Sequence, residues 1–243
     1  MNLTRCPKAT SAAVLCLGTL LALPASGVAA DAGGTAAAGS GGTVVPPAGS
    51  PALQASQVAL LGRRQKVVGQ IGGGAAGGAV LLQRSDAGAG WVTVARSQAT
   101  IAGTFTAIWK TDRSGRFTLR AVPAGSGTAS AAVVAPTAPV TVYRSAIATE
   151  YGPSSGRRTE QTACGVVLTR KTLGVANRTL PCGTLVEVYY RGRTLSMPVI
   201  DRGPYANNAD WDLTYAAARA VRFNGLDQIG TVRTGSVSLA RRR

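Results

Sequence analysis

The sequence predicts a mainly β protein made of two successive β units, the second carrying one short helix. Three observations carry this. Between residues 55 and 123, short apolar or alternating runs recur about every ten residues between turn-rich pieces, the pattern of a β-sandwich. Between residues 145 and 235 a second set of alternating runs appears, and within it only Tyr215–Val221 has a helix start and stop around it. The chain is poor in charge, with 15% charged residues among 243 and 31 glycines, where about 25% charged is ordinary.

The chain has no histidine. That excludes a Ser-His-Asp or Cys-His catalytic unit and any imidazole metal site. No metal site and no cofactor is expected. Carboxylate chemistry, polymer binding and interactions of a basic surface stay open, because Lys and Arg outnumber Asp and Glu by 26 to 10.

Residues 1–30 read as a secretory signal peptide: Arg5 and Lys8, an apolar run from Ala12 to Leu23, then Val28-Ala29-Ala30 as a small-residue cleavage site. A short membrane anchor is the alternative, although the run is brief for a bilayer. Residues 31–54, rich in Gly, Ala, Ser and Pro, are expected to form a flexible lead-in. The product is expected to be secreted, extracellular or wall-associated, monomeric, and free of the membrane once the leader is removed.

Residues 55–123 are expected as the sandwich, with strands near Val58–Leu61, Val67–Ile71, Ala79–Gln83, Trp91–Arg96, Phe105–Trp109 and Phe117–Val122. The segment resembles immunoglobulin-like modules of bacterial surface proteins. With ten basic residues against two acids between Pro51 and Arg144, it either holds an anionic wall polymer or is a spacer with a solvated basic face. Residues 124–144 read as an Ala/Pro/Thr linker, stiffened by Pro136 and Pro139.

In residues 145–235, strands are expected at Ile147–Tyr151, Thr184–Tyr190, Thr194–Asp201 and Gly230–Arg233. Arg191-Gly192-Arg193 gives a tight turn between the middle two. Thr214 is the N-cap of the helix and Asn224-Gly225 its stop, with Tyr215, Ala218 and Arg219 on one face. Residues 236–243 read as a basic tail. Once a leader is removed, Cys164 and Cys182 remain, an even pair whose simplest fate outside the cytoplasm is one disulfide. A free thiol is the alternative.

Several blocks occur in a fixed order: Ala148-Thr149-Glu150-Tyr151-Gly152-Pro153, Thr162-Ala163-Cys164-Gly165, Asn177-Arg178-Thr179-Leu180-Pro181, Asp201-Arg202-Gly203-Pro204 and Trp211-Asp212-Leu213-Thr214. In order and spacing they resemble the rare lipoprotein A (RlpA)-like double-psi β-barrel, the barrel shared with expansins. The resemblance covers the last 90 or so residues and implies a six-stranded barrel acting on peptidoglycan glycan strands. It further implies lytic transglycosylase chemistry, in which a general acid protonates the departing sugar oxygen.

On that resemblance Asp201 is the catalytic carboxylate, and Asn177, Arg178, Thr162, Tyr205 and Tyr151 surround it and meet sugar hydroxyls. The family's His and acidic residue fall on Asn177 and Val166, which cannot exchange a proton near neutral pH. Glu160 is therefore a candidate replacement acid. Glu150, Asp210 and Asp212 are further candidates, Asp212 being alternatively a turn or helix-dipole residue, the reading its helix-leading Asp-Leu-Thr favours. Asp201 itself is alternatively a turn-holding residue. The second functional reading is a non-catalytic, expansin-like wall-binding or wall-loosening module. Nucleic acid is not expected as a partner, because aromatic stacking faces are scarce at 5%.

Overall fold

The structure, a computed structural model, describes residues 52–72, 77–86, 90–125 and 135–239. The leader expected at 1–30, the lead-in up to residue 51 and the end of the basic tail lie outside the described residues.

The first unit contains β1 (Ala52–Gln54), β2 (Val58–Leu60), β3 (Arg64–Gln70), β4 (Ala79–Asp86), β5 (Trp91–Gln98), β6 (Thr104–Lys110) and β7 (Gly115–Pro123). β1, expected inside the flexible lead-in, instead pairs antiparallel with β3, and β3 with β6. A second sheet runs β2, β8 (Thr137–Tyr151), β7, β4, β5. The alternation sends Val67, Phe105 and Trp109 of the first sheet and Val80, Leu82, Leu119 and Val142 of the second into one core. Arg84 points into the same layer, where Asp112 meets it at 2.5 Å and its guanidinium lies 4.7 Å above the Phe117 ring.

β8 is the hinge of the whole arrangement. Its first half pairs with β7 and its second with β15 (Asp227–Ser236) and β14 (Trp211–Thr214). Thr137 to Arg144, expected as linker, are thus strand, and Pro139 is tolerated where the backbone is already extended. Where the sheets meet, the buried Tyr143 donates a hydrogen bond to Glu187 at 2.7 Å, and Glu187 also pairs with Arg116 of β7. Burial, and then Glu187, raise the Tyr143 phenol well above its usual range. Gly230 lies so close that an added Cβ would sit 2.8 Å from the Tyr143 Cβ.

The second unit adds the short hairpin β9 (Glu160–Gln161) and β10 (Val167–Leu168), then β11 (Val175–Ala176), β12 (Thr184–Tyr190) and β13 (Arg193–Asp201). Six strands close into a barrel in the order β14, β11, β13, β12, β15, β8 and back to β14, the closure being a parallel pairing of Trp211–Thr214 with Ala148–Tyr151. β11 and β13 are also parallel, and β11 and β14 were not foreseen as strands. The β12–β13 turn needs positive φ at both residues, met by Arg191 (44°) and Gly192 (84°). Val186, Val188, Met197, Val199, Val175 and Leu213 fill the interior.

The helix α1 (Tyr215–Val221) begins as expected, with Thr214 accepting from the Ala217 N–H at 3.3 Å. It ends differently. Arg222 adopts the left-handed conformation and caps it, two residues before Asn224-Gly225. Its buried face is Ala217, Ala218 and Val221, not Tyr215, Ala218 and Arg219, because β13 and β14 rather than solvent set its rotation.

Candidate functional site

Asp201 ends β13 beside Ala176 of β11. Its Oδ1 accepts from the Ala163 N–H and its own neighbour Arg202 N–H, both at 2.8 Å. Among the described residues no hydrogen bond reaches Oδ2. Half of the carboxylate holds the local backbone, the role foreseen as its alternative, and half is unspent.

On the other side of Ala176, β14 places Asp212. Three neighbouring strands therefore carry Asp201, Ala176 and Asp212 in a row, with about 10 Å between the outer Cα atoms from the usual strand spacing. Thr149, opposite Asp212 on β8, donates a 2.8 Å hydrogen bond to its Oδ1. Burial raises the Asp212 carboxyl from 3.8 to about 6, with the Thr149 bond opposing and the charges of Asp201 and Glu150 adding to the rise. Two residues along β8, the buried Tyr151 hydroxyl has no hydrogen-bond partner among the described residues. Burial, then the charges of Asp201 and Asp212, hold its proton on far above the ordinary phenol range.

A carboxyl group whose hold on its proton is raised toward neutrality, next to a second carboxyl group, is the arrangement that acid–base chemistry on a glycosidic bond uses. From sequence Asp212 is one of four candidate acids, with a helix-leading role favoured; it is the pairing of β14 with both β8 and β11 that encloses it.

The remaining predicted residues divide. Asn177 is committed to a turn: its Oδ1 accepts from the Thr179 and Leu180 N–H groups at 3.1 and 2.9 Å, and its Nδ2 donates to the Asp210 carbonyl at 3.2 Å. The buried Thr162 closes the β9–β10 turn, its Oγ1 accepting from Val166 N–H at 3.1 Å. Glu160 accepts from the Ser154 N–H and hydroxyl at 2.9 and 2.8 Å. The Ser154 backbone bond, followed by its hydroxyl, lowers the Glu160 carboxyl, the direction opposite to a general acid's need. Tyr205 is 79% exposed. Arg178 donates to the carbonyls of Pro204 and Ala209, both at 3.0 Å.

Cys164 and Cys182 form a disulfide, with Cα atoms 5.7 Å apart. It joins the turn bearing the Ala163 amide to the start of β12, and so braces one of the two N–H groups on Asp201. Arg202 lies across the same region, donating to the carbonyls of Asn177 and Leu180 at 3.2 and 2.9 Å.

A cleft of about 850 Å³ shares Asn177 and Arg178 with the residues read around Asp201. Its walls include Asn177 and Arg178 but not Asp201, Asp212, Tyr151, Thr162, Glu160 or Tyr205. Asn177 lines the cleft, and its N–H donates to the Asp201 carbonyl at 3.2 Å. Among the described residues no group of three or more His, Cys, Asp or Glu is arranged to hold a metal.

A closed barrel of six strands containing two parallel pairings, with one capped helix, defines the class. The double-psi β-barrel family described as lytic transglycolase matches residues 144–236. This segment is an RlpA-like double-psi β-barrel domain. The chain is 36% identical over 88 residues to the "Probable endolytic peptidoglycan transglycosylase RlpA" of Aquifex aeolicus, covering 35% of this chain and 34% of that protein. It is 41% identical over 78 residues to the protein of the same description from Synechocystis sp., covering 31% and 23%. The chain thus spans 34% and 23% of the length of these relatives. Among solved structures, the Streptomyces papain inhibitor is similar at 29% identity and TM-score 0.28, over 37% of this chain and 93% of that one.

Proposed function

We propose that the barrel acts on peptidoglycan glycan strands and cleaves them by lytic transglycosylation, with Asp212 as general acid and Asp201 as the charged partner. The observation that carries this is the half-buried Asp212 carboxyl, held up to about 6 beside Asp201. In the step, Asp212 gives its proton to the glycosidic oxygen as the C1–O bond breaks. The Asp201 carboxylate stabilises the positive charge that develops at C1. The C6 hydroxyl oxygen of the same sugar then bonds to C1, and its proton returns to the Asp212 carboxylate, so no water is consumed. Thr149 orients Asp212, and Tyr151, its hydroxyl buried within the field of both carboxyl groups, supports them from inside the fold. Thr162 and Asn177 position the walls, Tyr205 offers an exposed ring for a sugar face, and Glu160 anchors the loop from Ser154.

A second reading, a wall-binding or wall-loosening module, is favoured by one observation. Asn177 and Val166, where the family's enzymes carry His and an acid, are both engaged in turns that leave no proton to exchange. Incubating the protein with purified sacculi and analysing the soluble products by mass spectrometry separates the two. Anhydro-sugar products, lost in Asp201→Asn and Asp212→Asn, are the expected result. Retention on insoluble wall without any such product overturns cleavage and leaves binding. The leader, the export it implies and the immunoglobulin-like sandwich are parts of the same proposal, and the disulfide supports an oxidising compartment.

A further inference from the structure

We propose that the cleft lined by Asn177 and four arginines is a second ligand site, taking an anionic glycopolymer, a chain of sugars or polyols bearing phosphodiester or carboxylate groups. Its walls carry four arginines, Arg113, Arg144, Arg178 and Arg233, against one aspartate, Asp210. They arrive from four separate places: the β6–β7 turn, β8, the turn after β11, and β15. Guanidinium groups spread along a cleft of about 850 Å³ suit a chain of charges better than a single anion that all would have to reach.

Two of the four are already fixed. Arg113 pairs with Asp86 at 2.6 Å, and Arg178 is held by the Pro204 and Ala209 carbonyls, with its remaining amino group 3.8 Å from Asp210. The exposed Arg144 and Arg233 side chains have no acid and no hydrogen-bond acceptor among the described residues. Arg144 sits opposite Thr231 in the β8–β15 ladder, and Arg233 is two residues further along the same face, a diagonal spacing of about 7–8 Å. Two like charges at that distance repel, and an oxyanion between them removes the repulsion.

The walls also say what the polymer lacks. Trp211 is the one aromatic residue lining the cleft and is only 7% exposed, so no ring is offered for base stacking. Ser114, Ser145 and Thr179 supply neutral polar groups suited to hydroxyls. A sugar or polyol chain meets both conditions, and a nucleic acid does not.

The test uses the full chain with three fluorescent probes: poly(glycerol phosphate), polygalacturonate and a single-stranded DNA of matched charge, titrated by polarisation across a salt series. Binding to at least one of the two glycopolymers is expected, and which one binds identifies the anion. Arg144→Gln with Arg233→Gln is expected to weaken it at least about tenfold and to lower the slope of log Kd on log salt by about 2. Arg144→Lys with Arg233→Lys keeps most of the binding, and Arg64→Gln with Arg96→Gln, removing two exposed charges of the first unit, changes it less than about twofold. Equal losses in the two glutamine pairs, no binding of either glycopolymer, or DNA bound as tightly through the same arginines overturns the proposal. Glycan-strand cleavage is unchanged in the Arg144/Arg233 variant, so failure here leaves the reading of Asp212 standing.

Discussion

Asp212→Asn tests the physical basis of the site without any substrate. Raising a carboxyl from 3.8 to about 6 corresponds to about 3 kcal/mol between its charged and neutral forms, which partial solvent access trims to about 2 kcal/mol. The sign follows from proton linkage. The folded state holds this proton more tightly than the unfolded chain, so Asp212 costs nothing below the unfolded value. It costs progressively more stability as pH rises from about 4 through 6, and a constant amount above. Asparagine removes the charge and keeps an oxygen for the Thr149 hydroxyl, which now donates at 2.8 Å. Calorimetric melting across about pH 3.5 to 8 should therefore show the variant melting about 4–8 °C higher than the parent on the alkaline side, and the two curves converging on the acid side. A variant that melts lower above about pH 7, or a difference that persists at about pH 3.5, refutes the reasoning. A gain in stability together with a loss of cleavage would mark Asp212 as a residue kept for function at the expense of the fold.

Other substitutions probe the surroundings. Gly183→Ala forces a side chain at φ 83° into the Val237 carbonyl, 2.1 Å from where the Cβ would stand; a loss of about 2–4 kcal/mol in urea unfolding is expected. Cys164→Ser removes the constraint on an 18-residue separation and should cost about 3 kcal/mol, with the parent showing the same loss once reduced by dithiothreitol. Tyr151→Phe deletes a buried hydroxyl that has no partner among the described residues, so calorimetric melting should show the melting temperature unchanged or raised by a few degrees.

The elements that were legible in sequence are those whose pattern is local. β12 alternates cleanly, and the Thr214 cap announces α1. β11 and β14 escaped because two and four residues carry too little alternation, and their partners lie far away in the chain: Val175 beside Val199, Trp211 beside Ala148. The same distance explains the site. Asp201 was visible inside its Asp-Arg-Gly-Pro block, but the burial of Asp212 depends on β8, β11 and β13 converging around it. The helix stop moved to Arg222 because the chain turns there to bring Phe223 against Tyr190, a tertiary contact that no cap motif encodes. The arginines of the cleft, at 113, 144, 178 and 233, form no run in sequence, so only the fold assembles them.

The most direct measurement is the pH dependence of anhydro-product release from purified glycan strands. If Asp212 donates the proton, kcat/KM is steady on the acid side and falls about tenfold per pH unit above about 6, and Asp212→Asn retains less than about one hundredth of the activity at every pH. A rate that stays level from about pH 5 to 8, or an asparagine variant that cleaves as well as the parent, contradicts the account.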